Sequence, residues 1–531
     1  MDDCISYRDT HYFSDLMLDY LDEKEILREF YHHFPTLENF KKQIEEKNLS
    51  FPQESRIALS SALIKQYSSL NISEETTVNL DLLQQSNTFT ITTGHQLNLF
   101  TGPLYFLYKI ISVINLVEQL KEEYSTHNFV PIYWMATEDH DFEEINYFNF
   151  KENKIQWDSE QTGAVGEFAT KGLEEVLTKF KDQLNKSKAA EEILALFKNA
   201  YLKHTNLTEA TRYLANELFG KYGLVIVDGN DNNLKKMFAP YVKEELLNQL
   251  SSVEVEKTAQ KLKSLGYKAQ VNAREINLFY LTEGIRERII KEDNYFFVNN
   301  TEIKFSESEI LEELKNYPER FSPNVIMRPL YQEVILPNLC YVGGGGELAY
   351  WLEFKNYFEA SAITFPVLLL RNSVLLVSEK QNKKLQNLKT EISELFLDQS
   401  TLKTVKTNQI SEIKIDFSPQ KEQLATQFKE LYVLAEKTDS SFIGAVEAQE
   451  KKQIKGLHHL EKRLLKAQKR KLKDELCRVT QLQDELFPKQ SLQERNRNFS
   501  EFYQIYGSSL IQQLKEQLKP LELNFSIIYL S

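Results

Sequence analysis

Cysteine is scarce in this chain. Its 531 residues include three, Cys4, Cys340 and Cys477, far apart and without a C-x-x-C pair. That spacing supports neither a disulfide framework nor a zinc ribbon. Long apolar runs are also missing, and none approaches the roughly 18 residues of a membrane span. The opening stretch MDDCISYRDT lacks a basic-then-apolar signal pattern. Basic residues are outnumbered: the net charge is −13 and the pI about 5.4, which disfavours a general nucleic-acid binder. G-x-G-x-x-G, G-x-x-x-x-G-K-[ST] and H-E-x-x-H do not occur, so an ordinary nicotinamide dehydrogenase, P-loop enzyme or zincin is disfavoured. These absences predict a reducing, cytoplasmic location, and the length predicts two to four domains with apolar content enough for a sizeable core.

What is present is a series of short buried-strand patterns. Thr88–Thr93 is β-branched and ends at Gly94, and the loop GHQLNLFTG follows. From Pro103, residues Leu104, Leu107, Ile111, Ile114 and Val117 recur at helical spacing. Further apolar runs read as strands at Pro131–Ala136, Leu224–Asp228, Val325–Leu330 and Pro366–Arg371, with a helix over Asn233–Gln249. Apolar strands alternating with helices predict an α/β fold with a parallel sheet, whose ligands bind at the carboxyl ends of the strands. Two segments, about 146–215 and about 251–321, read as insertions into a core over 1–377. The second contains INLFYL, NYFFVNN and TEIKF as antiparallel strands, then a capping box from Ser306 to Glu309. Over 378–495, apolar spacing in Leu385, Leu388, Ile392 and Leu395, and again from Ile454 to Leu486, predicts a coiled-coil arm. It has two long helices with a smaller one, Pro419–Lys437, between them. Residues 496–531 are expected to return to the core. The acid-free run Lys462–Lys473 is either a solvated helix face or a site for an acidic partner.

Three constellations can carry chemistry. In the first loop, Gly94, His95, Gln96, Thr101, Gly102 and Lys109 offer donors and close backbone approach at a helix start, as a phosphate needs. The alternative is a plain strand-to-helix turn. In MATEDHDFEEI, residues Glu138, Asp139, His140 and Asp141 end a buried strand. Adjacent side chains on extended backbone diverge, which weakens a metal reading. A site for an amine or for acid/base work competes with a helix-start role. Third, Gly343, Gly344, Gly345 and Gly346 precede Glu347, Tyr350 and Trp351. Four glycines in a row carry an ordering cost that favours close approach to a ligand. Arg328 and Arg371 fit a carboxylate or phosphate clamp, or structural partners.

TTGHQLNLFTGPLYFLYKIIS, PIYWMATEDHDFEEIN, SPNVIMRPLYQEVILPNLCYVGGGGELAYWLEFK and FPVLLLRNS, in this order, resemble the cysteine-adding enzymes of bacillithiol biosynthesis. The likeness spans nearly the whole chain, VNAREINLFYL and the helical arm included. It departs at His95, where the family commonly has Gln, and at Gly345, where it commonly has Pro. The resemblance implies a Rossmann-like parallel-sheet core similar to class I aminoacyl-tRNA synthetases, two connecting-peptide insertions, and a coiled-coil domain that can form a homodimer. It implies ligation of L-cysteine to the amine of glucosaminyl malate; by analogy with the synthetases, ATP carrying Mg²⁺ is the expected co-substrate, and the divergent side chains of Glu138–Asp141 leave no tightly bound protein-ligated metal expected. On this reading the Gly94–Lys109 loop holds the nucleotide. Glu138, Asp139, His140 or Asp141 handles the amine and its proton. Arg274, Arg328 and Arg371 are candidates for malate carboxylates or phosphates, and Gly343–Glu347, Tyr350 and Trp351 wall the pocket. The rival is an inactive synthetase-like protein that works through its arm. RNA binding through Lys462–Lys473 ranks last because of the acidic charge.

Overall fold

A computed structural model describes residues 3–531. Its centre is a five-stranded parallel sheet built from β1 (Thr88–His95), β2 (Asn128–Met135), β3 (Val225–Asp228), β4 (Asn338–Gly343) and β5 (Val367–Leu370). The spatial order is β3-β2-β1-β4-β5, with every neighbouring pair parallel. β1 is buried at all eight positions, as expected of a central strand covered on both faces. Helix α1 (Tyr105–Glu123) joins β1 to β2, and its Val113, Leu116, Val117 and Leu120 pack with Phe89, Ile91 and Phe129 of the sheet. The same cluster takes in Phe40 and Ile44 of the helix Leu37–Ser50. The strand order switches sides between β1 and β4, so the carboxyl ends of these two parallel strands open the crevice where α/β sheets bind ligands.

The predicted strand at Val325–Leu330 is instead the start of helix α3 (Met327–Ile335). Asn324 Oδ1 accepts the N–H groups of Ile326 and Met327 at 2.9 and 3.3 Å, the way a short polar side chain starts a helix. The strand that fills this place is β4, eleven residues further on from Met327 to Asn338. Asn338 is buried at its start, where it accepts from Thr92 Oγ1 at 2.8 Å and donates to Glu333 at 2.6 Å.

The segment after β2 forms a hairpin, Tyr147–Phe150 with Asn153–Gln156, and three helices ending in Leu207–Phe219. Helix α2 (Asn232–Asn248) follows β3. The segment beyond it holds a separate five-stranded antiparallel sheet. Its order is Lys304–Ser306, Tyr295–Val298, Ile285–Glu292, Leu278–Thr282 and Phe321–Pro323. Two of those strands, Ile285–Glu292 and Phe321–Pro323, escaped sequence reading. The capping box of Ser306 and Glu309 is present.

The chain divides into two compact units. One comprises Tyr12–Leu376 and Gln493–Ser531 with the described residues up to Arg8; the other is chiefly Val377–Leu492. The second unit is helical. Ser418–Ala435 lies against Ser440–Lys471, joined by Phe428, Ala435 and Val446. The 3–4–3 pattern from Leu385 to Leu395 does not make a long helix. Glu379–Asn387 stops at Leu388, Lys389 takes a positive φ of 47°, and a short 3₁₀ turn covers Ile392–Phe396. The later pattern is helical, with a break at Leu472 between Ser440–Lys471 and Lys473–Leu486. In the basic run, Lys469 donates to Thr404 and Lys471 pairs with Glu412. Among the described residues no helix is long and apolar enough to cross a membrane.

Candidate active site

A cavity of about 670 Å³ opens at the carboxyl ends of β1 and β2, beside the turn after β4. Of the predicted residues, Gly94, His95, Gln96 and Lys109 line it, with Glu138, Asp139 and His140, and with Arg274, Arg328, Glu347 and Tyr350. Four segments far apart in sequence therefore meet in one cleft.

Lys109 is the floor of this cleft. It projects from α1, donates to the Gly94 carbonyl at 2.7 Å and pairs with Glu347 at 2.5 Å. Burial pushes the Lys109 ammonium below its usual range, against the pull of Glu347. Burial also opposes the Glu347 carboxylate, but Lys109, the Tyr341 hydroxyl at 2.8 Å and the Gly344 N–H outweigh it and hold its pKa down. Lys109 thus ties β1 to the glycine-rich turn and is already neutralised, which argues against its acting as a free phosphate ligand.

The stretch after β2 divides its duties. Asp139 Oδ1 accepts the N–H groups of His140 and Asp141, and Oδ2 accepts Gln96 at 2.9 Å. This carboxylate organises the loop, a helix-start-like role. Asp141 is exposed at the cap of the short helix Phe142–Ile145, makes no side-chain cap and does not line the cavity. Glu138 Oε1 pairs with buried Lys235 of α2, whose Nζ also donates to the Phe321 carbonyl at 2.7 Å. Glu138 Oε2 makes no hydrogen bond to a described residue. Arg286 donates to His140 Nδ1 at 2.5 Å and lies over the Phe279 ring. Because arginine only donates, Nδ1 is the acceptor and the imidazole proton sits on Nε2. Burial, then Arg286, lowers the His140 pKa. In this arrangement His140 offers an N–H donor; its basic nitrogen is occupied.

Several predicted residues lie elsewhere. Thr101 and Gly102 do not line the cavity. Phe100, Thr101 and Gly102 all adopt positive φ, and a Cβ on Gly102 would meet Asn98 Cβ at 2.7 Å. Asn498 donates to the carbonyls of Phe100 and Gly102 at 2.8 and 2.6 Å, and the Leu104 N–H donates to Arg497 O. The start of α1 is thereby closed by the C-terminal segment instead of being open to a phosphate. Gly343 to Gly346 do not line the cavity either. Gly343 is needed for packing, with a built Cβ 3.0 Å from Leu348 and Tyr341, whereas nothing lies near Gly346. Gly345 and Gly346 begin the short helix α4 (Gly345–Trp351), which aims Glu347 inward. Trp351 is core, fully buried and stacked on Tyr341. Arg371 is not a substrate clamp: it is buried and paired with buried Glu494 at 2.7 Å.

Residues that sequence reading missed supply much of the cavity wall. Arg286 and Arg288 come from the strand Ile285–Glu292, and Phe279, Gln270 and Asn324 from neighbouring segments. The i, i+2 spacing of the two arginines in GIRERII, which puts both on one face of a strand, was the available signal. Glu353 lies behind the wall, accepting the Gln270 N–H at 2.5 Å, and burial pushes its pKa up to about 7.

Fold and cavity together define a Rossmann-like α/β enzyme core with a charged, ligand-sized cleft, followed by a helical coiled-coil domain. A family model described as "Bacillithiol biosynthesis BshC, N-terminal Rossmann-like domain" matches residues 1–372, and "Bacillithiol biosynthesis BshC, C-terminal coiled-coil domain" matches residues 374–530. A protein of Christiangramia forsetii named "Putative cysteine ligase BshC" is 60% identical over 529 residues, covering 99% of this chain and 98% of the relative. A Flavobacterium johnsoniae protein of the same name is 60% identical over 526 residues, covering 99% of each. A Bacillus cereus one is 28% identical over 525 residues, covering 94% of this chain and 95% of the relative. The chain belongs to the BshC family of bacillithiol biosynthesis.

Proposed function

We propose that the protein is a cysteine ligase that joins L-cysteine to the amine of glucosaminyl malate in the last step of bacillithiol biosynthesis, with ATP activating the cysteine carboxylate. The observation that carries this reading is the lining of the cleft, where Arg274, Arg286, Arg288 and Arg328 come together with Glu138 and Asp139. Substrates bearing both carboxylates and an amine match such a mixed lining.

Amide formation from a free carboxylate is uphill in water, so the acyl carbon needs a leaving group. In the proposed sequence, the cysteine carboxylate attacks the α-phosphorus of ATP and expels pyrophosphate. The neutral sugar amine then attacks the acyl carbon, the C–O bond to AMP breaks with its electrons leaving on AMP, and the amine loses a proton. Glu138 Oε2 is the proton acceptor or ammonium partner. The His140 Nε2–H is a donor to a developing oxyanion. Arg274, Arg288 and Arg328 hold malate carboxylates or phosphate oxygens. The residues do not fit a resident metal: Asp139 is committed to its loop and Glu347 to Lys109, so Mg²⁺ would arrive on ATP.

The protein is further read as a cytoplasmic homodimer formed through its helical unit. Val433, Leu434, Phe442 and Ile443 are exposed around the turn between Ser418–Ala435 and Ser440–Lys471, an apolar patch that a second copy would cover.

The direct experiment incubates folded protein with cysteine, glucosaminyl malate and ATP, followed by mass spectrometry of thiol and nucleotide products. Bacillithiol with AMP is expected. ADP in place of AMP would replace the adenylate by an acyl phosphate. No bacillithiol with any nucleotide would refute the assignment.

A further inference from the structure

Outside the cleft, His32, His33 and Glu46 turn their polar atoms toward one another. His32 Nε2 lies 2.5 Å from Glu46 Oε2, and His33 Nε2 lies 3.1 Å from Glu46 Oε1. The two imidazole centroids are 4.1 Å apart. One donor atom from each residue falls within 4.8 Å of the others. A tetrahedral ion with bonds of about 2.0–2.1 Å sets its donors roughly 3.3 Å apart. Small side-chain rotations would therefore close this trio on an ion.

The backbone on both sides is anchored. Tyr31 and Phe34 flank the histidines and are buried against Tyr20. Arg28 donates to the carbonyls of Tyr31 and His32 at 3.2 and 2.8 Å. Glu46 stands on the helix Leu37–Ser50, which Phe40 and Ile44 root in the sheet core. The side chains of His32, His33 and Glu46 are 30, 13 and 40% exposed, so water could reach a fourth coordination position. Neutral imidazoles can each donate an N–H to this carboxylate, and the same ring nitrogens, in the other tautomer, can each face an ion instead.

We propose that His32, His33 and Glu46 form a binding site for a divalent transition-metal ion, with Zn²⁺ matched to the two-imidazole, one-carboxylate donor set, that clips the Tyr31–Phe34 segment to the helix Leu37–Ser50. Zn²⁺ takes such borderline nitrogen and oxygen ligands, whereas Mg²⁺ and Ca²⁺ take oxygen. The site is independent of the ligation reaction.

The test uses full-length protein stripped of metal, with exposed Cys4 and Cys477 replaced by Ser to remove competing thiols. Calorimetric titration with Zn²⁺ should show one equivalent bound, and thermal unfolding should rise by a few degrees on adding the ion. Co²⁺ should give the visible bands of a four-coordinate site. His32→Gln with His33→Gln should abolish that equivalent, the Tm rise and the Co²⁺ bands while circular dichroism stays unchanged. Glu46→Gln should weaken binding by about tenfold or more. Absence of Zn²⁺ binding by the parent at about 100 μM free ion, or equal binding by the folded double variant, would overturn the site.

Discussion

Glu347→Ala tests the floor of the cleft. The substitution leaves Lys109, whose side chain is 3% exposed, with the Gly94 carbonyl but no counter-charge. Removing one partner of a buried pair costs about 3–5 kcal/mol, because the remaining charge stays desolvated. Burial already holds the Lys109 pKa below its unfolded value, and Glu347 is what opposes that fall; without it, the folded-state pKa drops further. Below that value both states of the variant carry the proton and the full cost applies. Between it and the ordinary lysine value the unfolded chain binds more protons, so stability of the variant rises with pH. Urea unfolding at about pH 7 and about pH 9.5, followed by tryptophan fluorescence, should show the deficit shrinking at the higher pH. Trp134, Trp157 and Trp351 are all buried in the Rossmann-like unit, so the signal reports on that unit. Lys109→Met combined with Glu347→Ala should recover much of the loss. A deficit below about 1 kcal/mol, one independent of pH, or a double variant as weak as the sum of the singles would refute the reasoning.

Three other outcomes follow from the site. Arg286→Ala should raise the His140 pKa by removing a neighbouring positive charge, read by NMR titration of the imidazole; His140→Gln, which keeps a donor, should retain more activity than His140→Ala. Asn498→Ala should cost about 1–3 kcal/mol, since the Phe100 and Gly102 carbonyls lose their buried donor, and this is read by the same fluorescence transition. Glu353 has a folded pKa of about 7 against an ordinary 4.5, so the folded state binds more protons between those values and its contribution to stability falls as pH rises through that window. Glu353→Gln should flatten the loss, measured as Tm against pH.

Much of the core was legible in local pattern. The β-branched and apolar runs at Thr88, Pro131, Leu224 and Pro366 became strands because a strand buried on both faces must be apolar throughout. The same rule misled at Val325–Leu330, since a short apolar run does not separate a buried strand from a buried helix. Here the Asn324 side chain accepts the N–H groups of Ile326 and Met327 in the turn that leads into the helix. β4 was overlooked because Asn338, Cys340 and Gly343 break the apolar pattern, and Asn338 is tolerated there only by Thr92 and Glu333. In the helical unit, leucine spacing survived the break at Lys389, where backbone conformation departs from the helix although the side-chain pattern does not.

By itself the sequence determined the alternation of strands and helices, the chain's family resemblance, and three segments worth attention: Gly94–Gln96, Glu138–Asp141 and the stretch containing Arg328 and Glu347. Only the tertiary structure decided which side chains face the cleft. Arg371 is separated from Glu494 by 123 residues, Glu138 from Lys235 by 97, and His140 from Arg286 by 146. A buried charge takes whichever opposite charge folding brings within reach, and local sequence carries no record of that distance. For this reason Arg371 belongs to the framework and Lys109, although it lines the cleft, is tied to Glu347, while Arg286 and Arg288 join the cavity wall.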